Sequence, residues 1–255
     1  MKNPKNILIT GASSGIGEEV AKQYAAPGIT LAITGRNKKR LEAVKKALQA
    51  KGATVIAKVL DVTGQKAMET FIRKVDKIAP LDLVIANAGV GVQAGDFKSV
   101  DQAAKFTITV NVFGVFNTIH PALEIFEARG RGQIAIVSSL AGCIGLPGSP
   151  IYSASKNAVR VYGEALRAVY QGKGIEINVI CPGWVRSRIT DRNEYSMPFF
   201  MEVDKAAGII IRGLAKNKAR ISFPAPMAAL IKTMTILPIS LALKILGRIT
   251  MRGRA

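Results

Sequence analysis

Short runs rich in apolar residues alternate along this chain with stretches in which apolar residues recur every three or four positions. Residues 5–10 form the first such run, and residues 15–26 follow with Ile16, Val20 and Tyr24 on one helical face. The same alternation makes residues 29–34, 54–60, 83–86, 133–137 and 175–180 strands, with residues 219–223 as a seventh. Between them, residues 38–50, 65–78 and 102–127 read as helices. The second of these places Met68, Phe71, Ile72 and Val75 at core spacing, and the third is softly interrupted at His120-Pro121. Residues 83–86 are apolar throughout, and such strands belong to parallel sheets covered on both faces. The pattern therefore predicts one α/β domain over residues 1–223, a doubly wound parallel sheet with helices on both sides.

Residues 224–255 depart from this rhythm. Met227, Leu230, Ile231, Met234, Ile236, Leu237, Ile239, Leu241, Leu243, Ile245 and Leu246 are punctuated by Lys232, Lys244, Arg248, Arg252 and Arg254. The uncharged stretches are too short for a span that needs about 20 apolar residues. A basic amphipathic extension of this kind lies in a membrane interface, or packs on its own domain or a neighbouring subunit, and both readings stay open.

Charge sharpens that question. The chain carries 36 Lys and Arg against 17 Asp and Glu, a formal charge of +19, which suits a polyanionic partner. Nucleic acid is disfavoured, because there is no zinc-finger spacing, no basic region with heptads and no aromatic RNA-binding signature. The two cysteines, Cys143 and Cys181, are far apart in sequence, and His120 is the single histidine, so no metal site is expected. The N-terminus lacks the apolar region of a secretory signal. A cytoplasmic protein is expected, with a peripheral position at the inner face of a membrane as the variant that the tail suggests.

The chemistry begins at Gly11-Ala12-Ser13-Ser14-Gly15-Ile16-Gly17, between the first strand and the first helix. Glycines there allow a tight turn and close backbone approach, and the free N–H groups of the helix start hold a pyrophosphate. At the end of the second strand an acidic side chain would accept from an adenosine ribose, but no Asp or Glu lies between Ile29 and Arg40. Arg36 can instead pair with a 2′-phosphate, which favours NADP(H) and leaves NAD(H) as the alternative.

Tyr152 and Lys156 stand four residues apart in a helical stretch, so they share a face. A cation beside a phenol favours the phenolate and lowers a tyrosine pKa from its usual value of about 10, as a general acid/base near neutrality requires. Asn111 lies in an apolar run and, if buried, is either a structural bridge or part of a polar site. Ser138 and Ser139 follow the fifth strand, where open parallel sheets place their ligands. A serine hydrolase is disfavoured, since His120 lies in a helix and neither serine has a Gly-x-Ser-x-Gly setting.

Taken in order, these motifs resemble the short-chain dehydrogenase/reductase family from about residue 5 to residue 223. Thr10 to Gly17 is similar to its nucleotide loop, Asn87-Ala88-Gly89 to its sheet-stabilising motif, and Tyr152 to Lys156 to its active-site signature. The resemblance implies a Rossmann-like fold and a catalytic tetrad of Asn111, Ser139, Tyr152 and Lys156. Ser139 is taken over Ser138 because the family uses the second serine of this pair. By the same resemblance Asp61 and Val62 meet the adenine. Pro182-Gly183-Trp184-Val185-Arg186-Ser187 covers the nicotinamide, with Ser187 where threonine is usual. The resemblance makes residues 188–202 a variable substrate lid, in which Tyr195, Met197, Pro198, Phe199, Phe200 and Met201 either wall an apolar pocket or pack into the core. The implied function is interconversion of an alcohol and a carbonyl by hydride transfer, in a homo-oligomer joined through its long central helices. A membrane-associated ketoreductase of a lipid-like substrate is a second expectation, and a nucleotide-binding regulatory protein without catalysis a third.

Overall fold

A computed structural model describes residues 3–92, 96–188, 190–192 and 197–252. Seven strands, β1 (Asn6–Ile9), β2 (Thr30–Gly35), β3 (Thr54–Val59), β4 (Leu83–Ala86), β5 (Gly132–Val137), β6 (Ile175–Pro182) and β7 (Arg220–Phe223), form one sheet in the order β3-β2-β1-β4-β5-β6-β7. All the pairings are parallel, with Ile7 of β1 opposite Leu31 of β2 on one side and Leu83 of β4 on the other. Connections run one way from β1 to β3 and the other way from β4 to β7. This leaves a crevice at the carboxyl ends of β1 and β4, where a doubly wound sheet binds its ligand.

The period of two along each strand divides the core. Ile7, Ile9, Leu31 and Ile33 face α1 (Gly15–Tyr24), α2 (Lys38–Gln49) and α7 (Val203–Ala215). Leu8, Ala32, Val84 and Ile134 face α3 (Gln65–Ile78), α5 (Gly114–Arg129) and α6 (Pro150–Val169). Both faces of the central strands are thus covered, and β4 is apolar and buried at every position, whereas the edge strand β3 exposes Thr54, Lys58 and Val59.

The expected helix over residues 102–127 needs correction. It is divided into α4 (Val100–Ile108) and α5 by a π-turn at Thr109–Phe113, whereas Pro121 sits inside α5 without ending it. Asn111 supplies a local reason. It is fully buried, its side chain bonds away from the helix, and the widened turn carries it there.

Past β7 the chain forms α8 (Ala225–Ile236) and α9 (Ile239–Arg252). Ile231 of α8 joins Leu140, Val179 and Cys181 in a small apolar cluster, with Met227 and Ala228 against it. Among the described residues, no helix is long and apolar enough to cross a membrane.

Candidate active site

The glycine loop is held by Asn87, at the end of β4. Its Nδ2 donates to the carbonyls of Thr10 at 2.9 Å and Gly11 at 3.2 Å, and its backbone N–H donates to Thr10 Oγ1 at 3.1 Å. Two glycines are required by this closeness. A Cβ on Gly11, which has φ +67°, would lie 2.7 Å from Ala88 Cα, and one on Gly17 would lie 2.4 Å from Asn87 Nδ2. Ser14 precedes α1 without a side-chain cap, so the amino-terminal N–H groups of Gly15, Ile16 and Gly17 are left to another acceptor. Ser13 is buried against Gly35 at the end of β2. These features fit a dinucleotide whose pyrophosphate rests on α1.

Arg36 follows directly on β2. Its Nη1 stands 3.7 Å from Asp61 Oδ2, and both side chains are about half exposed, so the guanidinium remains open to a second anion. Asp61 also accepts from the backbone N–H of Thr63, and Asn117 of α5 holds the Val62 carbonyl at 2.9 Å. Val62 itself packs so closely on Gly114 that a Cβ there would meet it at 2.6 Å. The Asp61-Val62 turn is therefore fixed from both sides.

Lys156 is reached from three directions. It lies in α6, is buried, and donates from Nζ to the carbonyl of Val137 at the end of β5, 3.0 Å away. A Cβ on Gly89 would fall 3.1 Å from Lys156 Nζ and 3.2 Å from Asn111 Oδ1, so Gly89 leaves the space in which these two side chains approach. Nζ is 5.8 Å from the centre of the Tyr152 ring, one helical turn away. Burial pushes the lysine down to about 8, and the nearby Cys181 acts in the opposite direction. Asn111 accepts from the Val90 N–H at 2.8 Å and donates to the Val90 carbonyl and Ser155 Oγ, each at 3.0 Å.

The serine pair is divided by burial. Ser138 is enclosed and donates to the Lys156 carbonyl at 2.7 Å, pinning the end of β5 to α6. Ser139 is half-buried, accepts from the Ala141 N–H at 3.1 Å and donates to the Pro182 carbonyl at 3.2 Å. The turn after it rests directly on α6, since a Cβ on Gly142 would lie 2.6 Å from the Lys156 carbonyl carbon.

From β6 the loop through Pro182 and Gly183 folds back over the site. Val185 is buried and bridges to Met201, and Ser187 lies 3.3 Å from where a Gly15 Cβ would be. Arg186 pairs with Glu202 at 2.8 Å and stacks over Phe200 at 5.2 Å. Arg186, Phe200, Thr190, Asp191 and Met197 line an open groove of about 440 Å³. Tyr195 lies outside the described residues.

Several participants carry no local signal in the sequence. Ser155 and Val90 satisfy Asn111, and Thr10 anchors Asn87 through both its carbonyl and its hydroxyl. Met227 of α8 crowds Gly183, at 2.6 Å from a Cβ placed there, and no spacing rule links these positions. Cys143, distant in sequence from Cys181, packs against the apolar cluster that contains it. His120 is committed elsewhere, bonded to the Tyr162 hydroxyl at 2.9 Å and stacked on Phe116, and burial lowers its pKa.

With this geometry in place, comparison with known proteins is direct. Residues 5–197 match the family model for short chain dehydrogenases. An oxidoreductase of Myxococcus xanthus with uncharacterised activity is 37% identical over 235 residues, covering 92% of this chain and 93% of the relative. A short-chain dehydrogenase from Sphingobium yanoikuyae in complex with NADPH superposes with a TM-score of 0.80 at 28% identity, covering 90% of this chain and 92% of the other. A short-chain dehydrogenase/reductase from Burkholderia phymatum in complex with NAD shares the fold, with a TM-score of 0.82 at 23% identity over 91% of this chain and 92% of the other. The chain belongs to the short-chain dehydrogenase/reductase family of NAD(P)-dependent oxidoreductases.

Proposed function

We propose that this protein is an NADP-preferring carbonyl reductase or alcohol dehydrogenase acting through Asn111, Ser139, Tyr152 and Lys156. The observation that carries the reading is the approach of Lys156 to Asn111, Gly89 and the Tyr152 ring at the carboxyl ends of β4 and β5. A protein that only bound nucleotide would have no use for a buried lysine beside a tyrosine at this position.

The dinucleotide would be held by the Gly11–Gly17 loop, by Arg36 and Asp61-Val62 at its adenosine end, and by Asn87, Ala88, Gly89 and the loop from Pro182 to Ser187 at the other. When bound, it supplies or accepts the hydride. The remaining chemistry belongs to the protein. The Tyr152 hydroxyl gives its proton to the carbonyl oxygen in reduction, or takes it back in oxidation. Ser139 turns its hydroxyl from the Pro182 carbonyl to the same oxygen and holds it. Lys156, protonated at neutral pH even when lowered to about 8, favours the phenolate. Asn111, fixed by Val90 and Ser155, keeps an amide beside the lysine for a water-borne proton path.

Preference for NADP(H) rests on Arg36, whose exposed and loosely paired guanidinium suits a 2′-phosphate. Assembly into a homo-oligomer is supported by exposed Phe113, Val161 and Val169 on the α5–α6 side. A second reading, a ketoreductase of lipid-like molecules at a membrane, is favoured by the contact of α8 with Gly183 and by the apolar exposure beyond it. The test is a panel of ketones and alcohols followed by NADPH absorbance. Absence of turnover on every one, with NADPH bound, would favour the regulatory alternative.

A further inference from the structure

The corner between α8 and α9 is exposed where a folded chain normally presents polar residues. Five of the twelve large apolar side chains exposed among the described residues fall between positions 230 and 243: Leu230 at 46%, Ile236 at 76%, Ile239 at 67%, Leu241 at 45% and Leu243 at 47%. The connection itself is Ile236-Leu237-Pro238-Ile239, without the Gly, Asn or Asp that favour a water-facing turn. Inward, α8 buries Ile231, and α9 buries Ala242 and Leu246. α8 is therefore seated on the domain by one narrow face, α9 packs against α8, and the corner projects as an apolar wedge.

Charge identifies what covers it. Lys232 and Lys244, both exposed, flank the corner, and after Asp204 the sequence holds ten Lys and Arg and no acidic residue. A second copy of the chain would set this cationic surface against itself. An anionic bilayer would take the apolar wedge among its acyl chains and the lysines at its headgroups. Location adds a consequence, because α8 starts at the Gly183 loop, where Met227 closes on the catalytic end of the sheet.

We propose that the α8–α9 corner docks this protein on anionic lipid surfaces and holds the active-site mouth near the bilayer, so that its substrates are carbonyls or alcohols carried on lipid-soluble molecules. The substrate half rests on the oxidoreductase reading, and the docking half stands without it. The experiment is cosedimentation of the full chain with phosphatidylcholine vesicles, with or without phosphatidylglycerol. Binding is expected for the mixed vesicles at low salt, with loss in high salt and little binding to phosphatidylcholine alone. Lys232→Gln with Lys244→Gln should weaken binding about 30-fold, and Ile236→Ser with Ile239→Ser at least about tenfold. NADPH fluorescence and circular dichroism should be unchanged in both variants. Failure of the unaltered protein to bind mixed vesicles at low salt, or equal binding to neutral ones, overturns the proposal. A dimer that the isoleucine variant dissociates, with vesicle binding absent, assigns the corner to a second copy instead. Turnover lost on all substrates with vesicle binding intact would sink the oxidoreductase reading alone.

Discussion

The carboxyl end of the sheet and the α8–α9 corner, which lie at opposite ends of α8, are built on opposite principles. Around Lys156, a Cβ at position 142 would collide with backbone and one at position 89 would crowd Lys156 and Asn111, and the buried Asn111 amide has partners for both its oxygen and its nitrogen. At the corner, isoleucines 236 and 239 are 76% and 67% exposed. The first region spends hydrogen bonds on fixing a few atoms, as positioned chemistry demands. The second leaves apolar area uncovered, as a surface awaiting a partner does. Changes in the first region should therefore act on rate and folding, and changes in the second mainly on binding.

The largest effect is expected at Tyr152. Tyr152→Phe keeps the ring beside Lys156 and removes only the transferable proton, so turnover should fall about 10²- to 10⁴-fold with NADPH affinity unchanged. Retention of a third of the rate would remove Tyr152 from the role of acid. Asn111→Ala should cost about 3 kcal/mol of stability by urea unfolding, because the Val90 N–H and carbonyl both lose a buried partner. If the cost is below about 0.5 kcal/mol, water has replaced the amide and the π-turn does not depend on it. Arg36→Asp should reverse the cofactor order by about one to two decades in affinity. Equal affinity for NADH and NADPH in the unaltered protein would leave Arg36 an ordinary surface charge.

A pH series examines the tight region without substrate. Lys156 has a folded pKa near 8 against an ordinary value of 10.5, so between those values the unfolded state binds more protons. Stability contributed by this residue therefore rises with pH from about 8 to about 10.5 and is flat outside that window. The difference in urea midpoint between the unaltered protein and Lys156→Met should follow that rise. A difference constant with pH would mean that the lysine is solvated when it titrates.

Legibility in the sequence follows the same division. The strand segments, the glycine loop and the Tyr152–Lys156 pair were readable because their signals are local: apolar runs, a strand-loop-helix setting, and one turn of helix. The π-turn was not, since Thr109–Phe113 has the apolar spacing of an ordinary helix and its cause, Val90, is 21 positions away. The Cys143–Cys181 contact and the closure of Met227 on Gly183 were invisible for a similar reason. Both depend on β5, β6 and β7 lying side by side, which no single segment encodes.

The smallest effect is expected at the corner, where two isoleucines of the same extension can be compared. Ile231 is 9% exposed and packs with Leu140, Val179 and Cys181, so Ile231→Ala should cost about 2 kcal/mol, the low end for a buried isoleucine at the rim of a cluster. Ile239 is 67% exposed, and Ile239→Gln should change stability by less than about 0.5 kcal/mol. Urea unfolding of both variants measures the contrast directly. Equal losses would mean that the corner is covered by its own chain or by a second copy in solution. A loss confined to Ile231→Ala leaves the exposed isoleucines without a folding role, which is the condition under which their exposure calls for an external partner.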